Sequence, residues 1–151
     1  IVIVRDTTQG TASNRLKWYL NGTQITDLEN YNGSSSAVYP SQNQDMFFND
    51  DVEHAIGRRT AYSGQHYFDG YLAEVISVDG TQYAPTQFGE SKNGVWIPKD
   101  PSGTSFGTNG FHLKFENASD LGNDSSGNNN DFTASGLGTD HQVLDSPTFG
   151  S

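Results

Sequence analysis

The sequence predicts an all-β protein that is rich in loops and turns and has an aromatic core, and three observations support this prediction. Gly, Ser, Asn and Thr supply 59 of the 151 residues, and these residue types lower the stability of helices. Aromatic residues make up 12% of the chain, which is typical of a packed domain rather than of a disordered segment. Several short segments alternate apolar and polar residues with the period of two that a half-exposed strand requires.

The first strands are expected near the beginning of the chain. Residues 1–5, which begin with the β-branched run Ile1-Val2-Ile3-Val4, predict a buried strand. In the next strand, Leu16, Trp18 and Leu20 alternate with polar residues and therefore share one face. The Asn21-Gly22 pair that follows predicts a tight hairpin turn, since both residue types tolerate a positive φ.

The later elements follow from the same kinds of pattern. Strands are expected at 46–48, 54–57, 67–78, 95–97, 111–115 and 132–137, and a short helical turn at 84–89. The segment 67–78 has the strongest pattern, and its predicted core residues are Phe68, Leu72, Val75, Ile76 and Val78. Residues 122–131 consist almost entirely of turn-forming residues.

Composition and charge exclude several classes of function. No run of about 20 apolar residues is present, so the sequence predicts no membrane insertion. A net charge of −10 disfavours a nucleic-acid partner, because binding to phosphates requires clustered Lys and Arg. The chain has no cysteine, which excludes disulfides, thiol nucleophiles and cysteine-bound metals.

An ordered series of motifs covers nearly the whole chain. It comprises Trp18-Tyr19-Leu20-Asn21-Gly22, Tyr67-Phe68-Asp69-Gly70-Tyr71-Leu72-Ala73-Glu74-Val75, Asp79-Gly80, Phe88-Gly89-Glu90, Gly94-Val95-Trp96-Ile97-Pro98-Lys99, residues 107–111 and residues 124–131. This series resembles the concanavalin-A-like, laminin-G-like jelly-roll family. Within that family it is most similar to the branch found in marine phage and other viral structural proteins.

The resemblance implies an antiparallel β-sandwich of the jelly-roll type that lacks its N-terminal strands. Residues 1–99 then correspond to the C-terminal portion of the sandwich. Residues 100–151 form the acidic, Gly/Asn/Ser-rich final strands and an extended tail. Other copies of the chain, or other virion proteins, are expected to complete the sandwich. Apolar strips left by the missing strands would serve for this assembly.

The function that the resemblance implies is that of a non-enzymatic module at the virion surface. Such a module would be a capsid decoration, fibre or tail protein, with a capacity to recognise glycans or the host surface. The alternative is a secreted or cell-surface carbohydrate-binding domain, either an adhesin or a module of a glycan-active enzyme. Both functions place the chain on a virion or outside the cell.

Carbohydrate sites combine an aromatic ring, which stacks on the sugar, with polar side chains that bind its hydroxyl groups. Two loops offer this combination, and the glycan-binding candidates are Tyr62, His66, Tyr67 and Asp69 in one loop and Tyr31 and Tyr39 in the other. The alternative is that these tyrosines are half-buried, with their hydroxyl groups at the rim of the core.

The loop at 122–131 is also a candidate calcium site. Asp124, Asn128 and Asp131 offer the hard oxygen ligands that calcium prefers, with a glycine in the bend. The alternative, which the sequence favours, is a turn without metal, because Asp and Asn also bind their own backbone. No cofactor other than this calcium ion is expected.

Catalytic patterns are not evident in the sequence. Asp69 and Glu74 share a segment but lie five residues apart, so on a regular strand they face opposite sides. A pair of glycosidase carboxylates must instead lie on one face. The four histidines are scattered along the chain, and we expect them at the surface. No catalytic residue is therefore assigned.

Overall fold

The computed structural model describes residues 1–28, 38–45, 47–48, 50–60 and 66–143. These residues form an all-β fold, as the composition predicted, and its sheets are antiparallel. Every pair of neighbouring strands is antiparallel, and the sheets have two or three strands each. Within the described ranges there is no α-helix, and no helix that is long and apolar enough to cross a bilayer.

Seven strands and three short 3-10 turns are present in the described part of the chain. The strands are β1 (Val2–Arg5), β2 (Leu16–Leu20), β3 (Thr23–Ile25), β4 (Val75–Ser77), β5 (Gly89–Lys92), β6 (Val95–Pro98) and β7 (Phe111–Leu113). The 3-10 turns are Ala12–Asn14, Pro85–Gln87 and Thr139–His141. The turn at Pro85–Gln87 confirms the helical turn predicted at 84–89, with proline at its first position.

The chain divides into two compact units. The first unit combines Ile1–Asp45 with Val78–Gly107, and the second combines Met46–Ser77 with Thr108–Val143. The first contains the sheet β1-β2-β3 and the hairpin β5-β6, and the second contains the pair β4-β7.

The hairpin β2-β3 forms at the predicted turn. Asn21 and Gly22 have φ angles of 49° and 77°, and Leu20 lies opposite Thr23 in the register. Two successive positive φ angles match the right-handed twist of the flanking strands, which is why Asn-Gly is favoured there. The prediction of a hairpin at this pair is confirmed.

The three-stranded sheet presents its apolar side outward. Ile3, Trp18 and Ile25 lie opposite one another across the strands and form one row. Together with Ile1, Leu16 and Leu20 they make up a surface that we call the Trp18 face. Its exposed fractions are 53% at Ile3, 50% at Leu20, 37% at Ile25 and 36% at Trp18. The other side of the sheet carries Val4, which is buried.

The burial predicted for residues 1–5 is therefore wrong for most of that strand. The strand exists, but Val4 is its only buried residue, and Ile1 and Ile3 are exposed. The alternation of Leu16, Trp18 and Leu20 fixes which residues share a face. It does not determine which face is covered, because that depends on the layer packed against the sheet.

A second Asn-Gly pair closes the hairpin β5-β6. Asn93 and Gly94 have φ angles of 53° and 78°, and Lys92 lies opposite Val95. The Trp96 ring of β6 packs directly on Gly22 of the β2-β3 turn and on Gly89 of β5. A side chain larger than hydrogen at either glycine would overlap the indole ring, so this contact holds the two hairpins together.

The second unit has a small core around β7. Leu113 and His112 are almost fully buried, and Leu121 of the same unit is also buried. Strand β7 pairs with β4, with Val75 opposite Leu113. The Phe111 and Phe132 rings meet edge to face, with their centroids 4.9 Å apart, a favourable geometry for aromatic pairs.

Several predicted strands are absent from the described residues. The segment 67–78 is a strand only at Val75–Ser77, and Phe68 and Leu72 are exposed rather than in the core. Residues 54–57, 132–137 and the described part of 46–48 are not strands either. A strand requires a neighbouring strand to which its backbone can hydrogen-bond, and these segments have no such neighbour among the described residues. The β propensity of a segment does not determine whether a neighbour is present.

Candidate functional site

The buried carboxylate of Asp124 organises the loop that follows β7. Asp124 is 7% exposed and forms an antiparallel bridge with Leu113 of β7. The Ser125 N–H donates to the carbonyl oxygen of His112 at 2.8 Å. A charged side chain is seldom buried unless its oxygens accept hydrogen bonds, and the loop supplies them.

Each oxygen of this carboxylate accepts two hydrogen bonds. Oδ1 accepts the backbone N–H of His112 at 2.8 Å and that of Ser126 at 2.9 Å. Oδ2 accepts the Ser126 hydroxyl at 2.8 Å and the Asn130 N–H at 3.0 Å. The bond to His112 spans twelve residues, so Asp124 attaches the loop to β7 as well as closing a local turn.

Two asparagines of the loop bind the chain segment before β7, and Asp131 binds the backbone within the loop. The Asn128 side chain donates to the carbonyl oxygen of Gly110 at 2.8 Å. The Asn130 side chain donates to the carbonyl oxygens of Thr108 and Gly110 at 3.0 and 2.9 Å. The Asp131 Oδ1 accepts the backbone N–H of Asp124 at 2.7 Å. The loop is therefore a connected network of side-chain to backbone hydrogen bonds.

This network perturbs the titration of Asp124. Burial by itself would raise the pKa of the carboxyl group. The hydrogen bonds from His112, Ser126 and Asn130 outweigh that effect and hold the pKa below its ordinary value of 3.8. Asp124 is therefore an ionised carboxylate at neutral pH, with protein donors on both oxygens.

The three residues of the calcium prediction do lie in one network. Asp124 and Asp131 are linked through a backbone N–H, and Asn128 lies between them in the loop. However, the four hydrogen bonds at Asp124 occupy the directions that a cation would need. Among the described residues, no group of three or more His, Asp or Glu side chains is arranged to hold a metal ion.

The glycan-binding candidates are only partly described. Tyr31 and Tyr62 lie outside the described residues. His66, Tyr67 and Asp69 are exposed and belong to the second unit, where Tyr67 forms a bridge with Arg58. The Phe68 N–H donates to the carbonyl oxygen of Gly57 at 2.7 Å, which anchors this segment beside residues 57–59.

Tyr39, the remaining glycan-binding candidate, is half-buried and belongs to the first unit. Its partial burial matches the alternative stated for the tyrosines, a phenol whose ring contributes to packing.

The pair formed by His112 and Glu74 was not predicted from the sequence. His112 is buried in β7 rather than at the surface, where all four histidines were expected. Its Nε2 lies 3.7 Å from Oε1 of Glu74, the residue just before β4. Since Ile76 lies opposite His112 in the ladder, strand pairing brings these side chains together. Glu74 thus faces a histidine, whereas Asp69 is exposed in the segment before β4.

A shallow cleft opens beside the Asp124 loop in the second unit. Its volume is about 590 Å³, within the range of small-molecule sites. Asp120 and Asp131 contribute carboxylates to its lining, and Phe132 and Leu137 contribute apolar surface. Such a combination can bind a ligand that has both hydroxyl groups and an apolar face.

Comparison with known proteins adds no further relationship. No family model, no curated protein and no solved structure matches the chain.

Proposed function

We propose that this chain is a non-enzymatic structural and binding module of the virion surface, built on a jelly-roll sandwich. It would serve as a capsid decoration, fibre or tail protein. The observation that carries the proposal is the Trp18 face, an apolar sheet surface whose central residues Ile3, Trp18 and Ile25 are each at least one-third exposed. The motif series resembling viral structural proteins supports the location.

A sandwich layer without its partner sheet would present an exposed apolar face. In a sandwich, two sheets pack about 10 Å apart through apolar inner faces. In this protein the apolar row of Ile3, Trp18 and Ile25 faces outward. Exposed patches of this kind mark interaction surfaces on soluble proteins. Packing against another protein layer is therefore the role that this geometry supports best.

The proposal is tested on native particles. Purified virions are treated with a lysine-reactive cross-linker and analysed by mass spectrometry. We expect peptides of this chain in the intact particle, with cross-links from its lysines to another structural protein. Recovery of the chain only in a cellular enzyme complex, with no copy in the particle, would refute the virion assignment.

The second function, carbohydrate recognition, is favoured by the exposed ring of Tyr67 between His66 and Phe68. The ring is available for stacking on a sugar, and Asp69 lies two residues away. This role fits a virion module that binds host glycans, and it equally fits a secreted or cell-surface domain. In either setting, the sugar would bind by stacking and hydrogen bonding without cleavage.

A glycan array tests carbohydrate recognition with a matched pair of variants. Tyr67→Ala should abolish the signal, whereas Tyr71→Ala, which removes another exposed tyrosine of the same unit, should preserve it. Loss of binding in Asp120→Ala with full binding in Tyr67→Ala would place the ligand in the cleft instead. No signal from the unmodified chain on any glycan would reject the binding role.

The loop at Asp124 is part of the scaffold in this proposal. Its four hydrogen bonds to protein donors support a turn that is stable without metal. The effect of calcium on stability, described in the Discussion, distinguishes the two alternatives.

A further inference from the structure

We infer that the Trp18 face binds the same face of a second copy of this chain, so that two three-stranded sheets form the two layers of one sandwich. The inference rests on the proposed function, which places another protein layer on the Trp18 face. It identifies that layer as a second copy of this chain. An interface of this kind is isologous, because the same surface is used on both copies.

The distribution of charge favours a second copy. One side of β1-β2-β3 carries Ile1, Ile3, Arg5, Leu16, Trp18, Leu20, Thr23 and Ile25. Arg5 is the only charged residue among these eight, whereas the whole chain carries 18 acidic and 8 basic residues. Because the chain has a net charge of −10, contact through its charged surface would bring like charges together, which is unfavourable. Contact through the Trp18 face avoids this repulsion.

The exposed area is sufficient for a weak dimer. From the exposed fractions of its residues, the face presents on the order of 500 Å² of apolar side chain. Two such faces bury about 1,000 Å² together, which is close to the lower limit for a specific interface. We therefore expect a weak dimer that dissociates on dilution.

The shape of the face also suits pairing with itself. Trp18 stands at the centre of a row, with Ile3 and Ile25 on either side. Two sheets that cross at about 30° interdigitate their inner side chains in a layer about 10 Å thick. The large residue of one copy can then lie between the smaller residues of the other.

Sedimentation velocity on the full chain tests the inference, with a matched pair of lysine variants. Ile25 and Gln24 are neighbours on β3, both exposed, and they point to opposite sides of the sheet. We expect a concentration-dependent dimer. Ile25→Lys should raise the dissociation constant at least about tenfold, because a lysine would be desolvated at the interface. Gln24→Lys should change it by less than about threefold.

Salt provides a second readout of the same dimer. Because each copy carries a net charge of −10, raising NaCl from 50 to 500 mM screens the repulsion and should strengthen the dimer. An interface held by ion pairs would weaken instead, and that result would contradict an apolar interface. Circular dichroism verifies that each variant is folded. If Ile25→Lys does not fold, Leu20→Thr replaces it, since threonine keeps the β propensity.

The outcomes separate this inference from the proposed function. A monomer that binds the neutral apolar dye Nile red, with binding lost in the Ile25 variant, overturns pairing of two copies. That result would still support the Trp18 face as a surface that binds a different protein. A monomer that binds no dye overturns both proposals. Equal weakening of the dimer by the Ile25 and Gln24 variants also overturns the inference.

Discussion

Replacing Asp124 with asparagine removes the charge at the centre of the loop network while preserving the size of the side chain. One oxygen of the new amide can still accept from the His112 and Ser126 N–H groups. The NH₂ group then faces the two donors that Oδ2 served, the Ser126 hydroxyl and the Asn130 N–H. The hydroxyl can rotate and accept, but the backbone N–H of Asn130 loses its acceptor.

The expected loss follows from these contacts. Hydrogen bonds to a charged acceptor contribute about 1.5–3 kcal/mol each, and a donor left without a partner adds a desolvation cost. Rehydration of the half-buried Asn130 offsets part of this loss. We expect Asp124→Asn to lower the free energy of unfolding by about 3 kcal/mol. The melting temperature should fall by roughly 6–12 °C, the range for a chain of this length.

Urea unfolding followed by circular dichroism measures the change, and amide hydrogen exchange at His112 locates it. Asp100→Asn is the matched control, since Asp100 is exposed and accepts one backbone N–H, from Ser102 at 3.1 Å. The control should change the free energy of unfolding by less than about 0.5 kcal/mol. The reasoning is refuted if both variants have the same stability and the His112 amide keeps its protection from exchange.

The remaining predictions concern acid, calcium and the turn glycines. Hydrogen bonds hold the pKa of Asp6 and Asp124 below 3.8, so the unfolded state binds more protons in acid. The stability that the two carboxylates provide is present above about pH 4, and it is lost as the pH falls through their pKa in the folded state. A melting temperature that does not change from pH 5 to pH 2 would contradict this. Calcium or a chelator should shift the melting temperature by less than about 1 °C, and a clear rise with calcium would favour the metal site. Gly22→Ala forces a methyl group into the Trp96 ring at a φ of 77° and should cost more than about 2 kcal/mol. Gly94→Ala has a φ of 78° but open space, and should cost only about 1–2 kcal/mol; equal losses would exclude the ring contact.

Local features of the fold were predictable because they depend on neighbouring residues. Asn21-Gly22 specifies a turn through its own backbone preferences, and the alternation at Trp18 fixes which residues share a face. By the same reasoning, Asn93-Gly94 could have indicated the hairpin β5-β6. A strand was expected at 95–97, but its partner β5 was not. Glu90, Ser91 and Lys92 have little β propensity, so their pairing depends on the turn.

The rest of the fold depends on contacts between distant residues. The turn-rich loop around Asp124 was expected, but its bond to His112 of β7 becomes evident only when the strand is in place. The burial of His112 beside Glu74 likewise requires the ladder between β4 and β7. Phe68 and Leu72 were expected in the core because of their residue type, yet both are exposed. Residue type predicts a preference for burial and cannot supply the layer that buries it.

Hydroxyl-radical labelling of Trp18 tests most directly whether the apolar side of the β1-β2-β3 sheet is the interaction surface of this protein. Labelling is quantified by mass spectrometry for the dilute chain and for the native assembly, and Tyr71, an exposed residue of the other unit, serves as the reference. The account predicts that Trp18 is oxidised readily in the dilute chain and several-fold more slowly in the assembly, relative to Tyr71. Equal oxidation of Trp18 in the two states would contradict it.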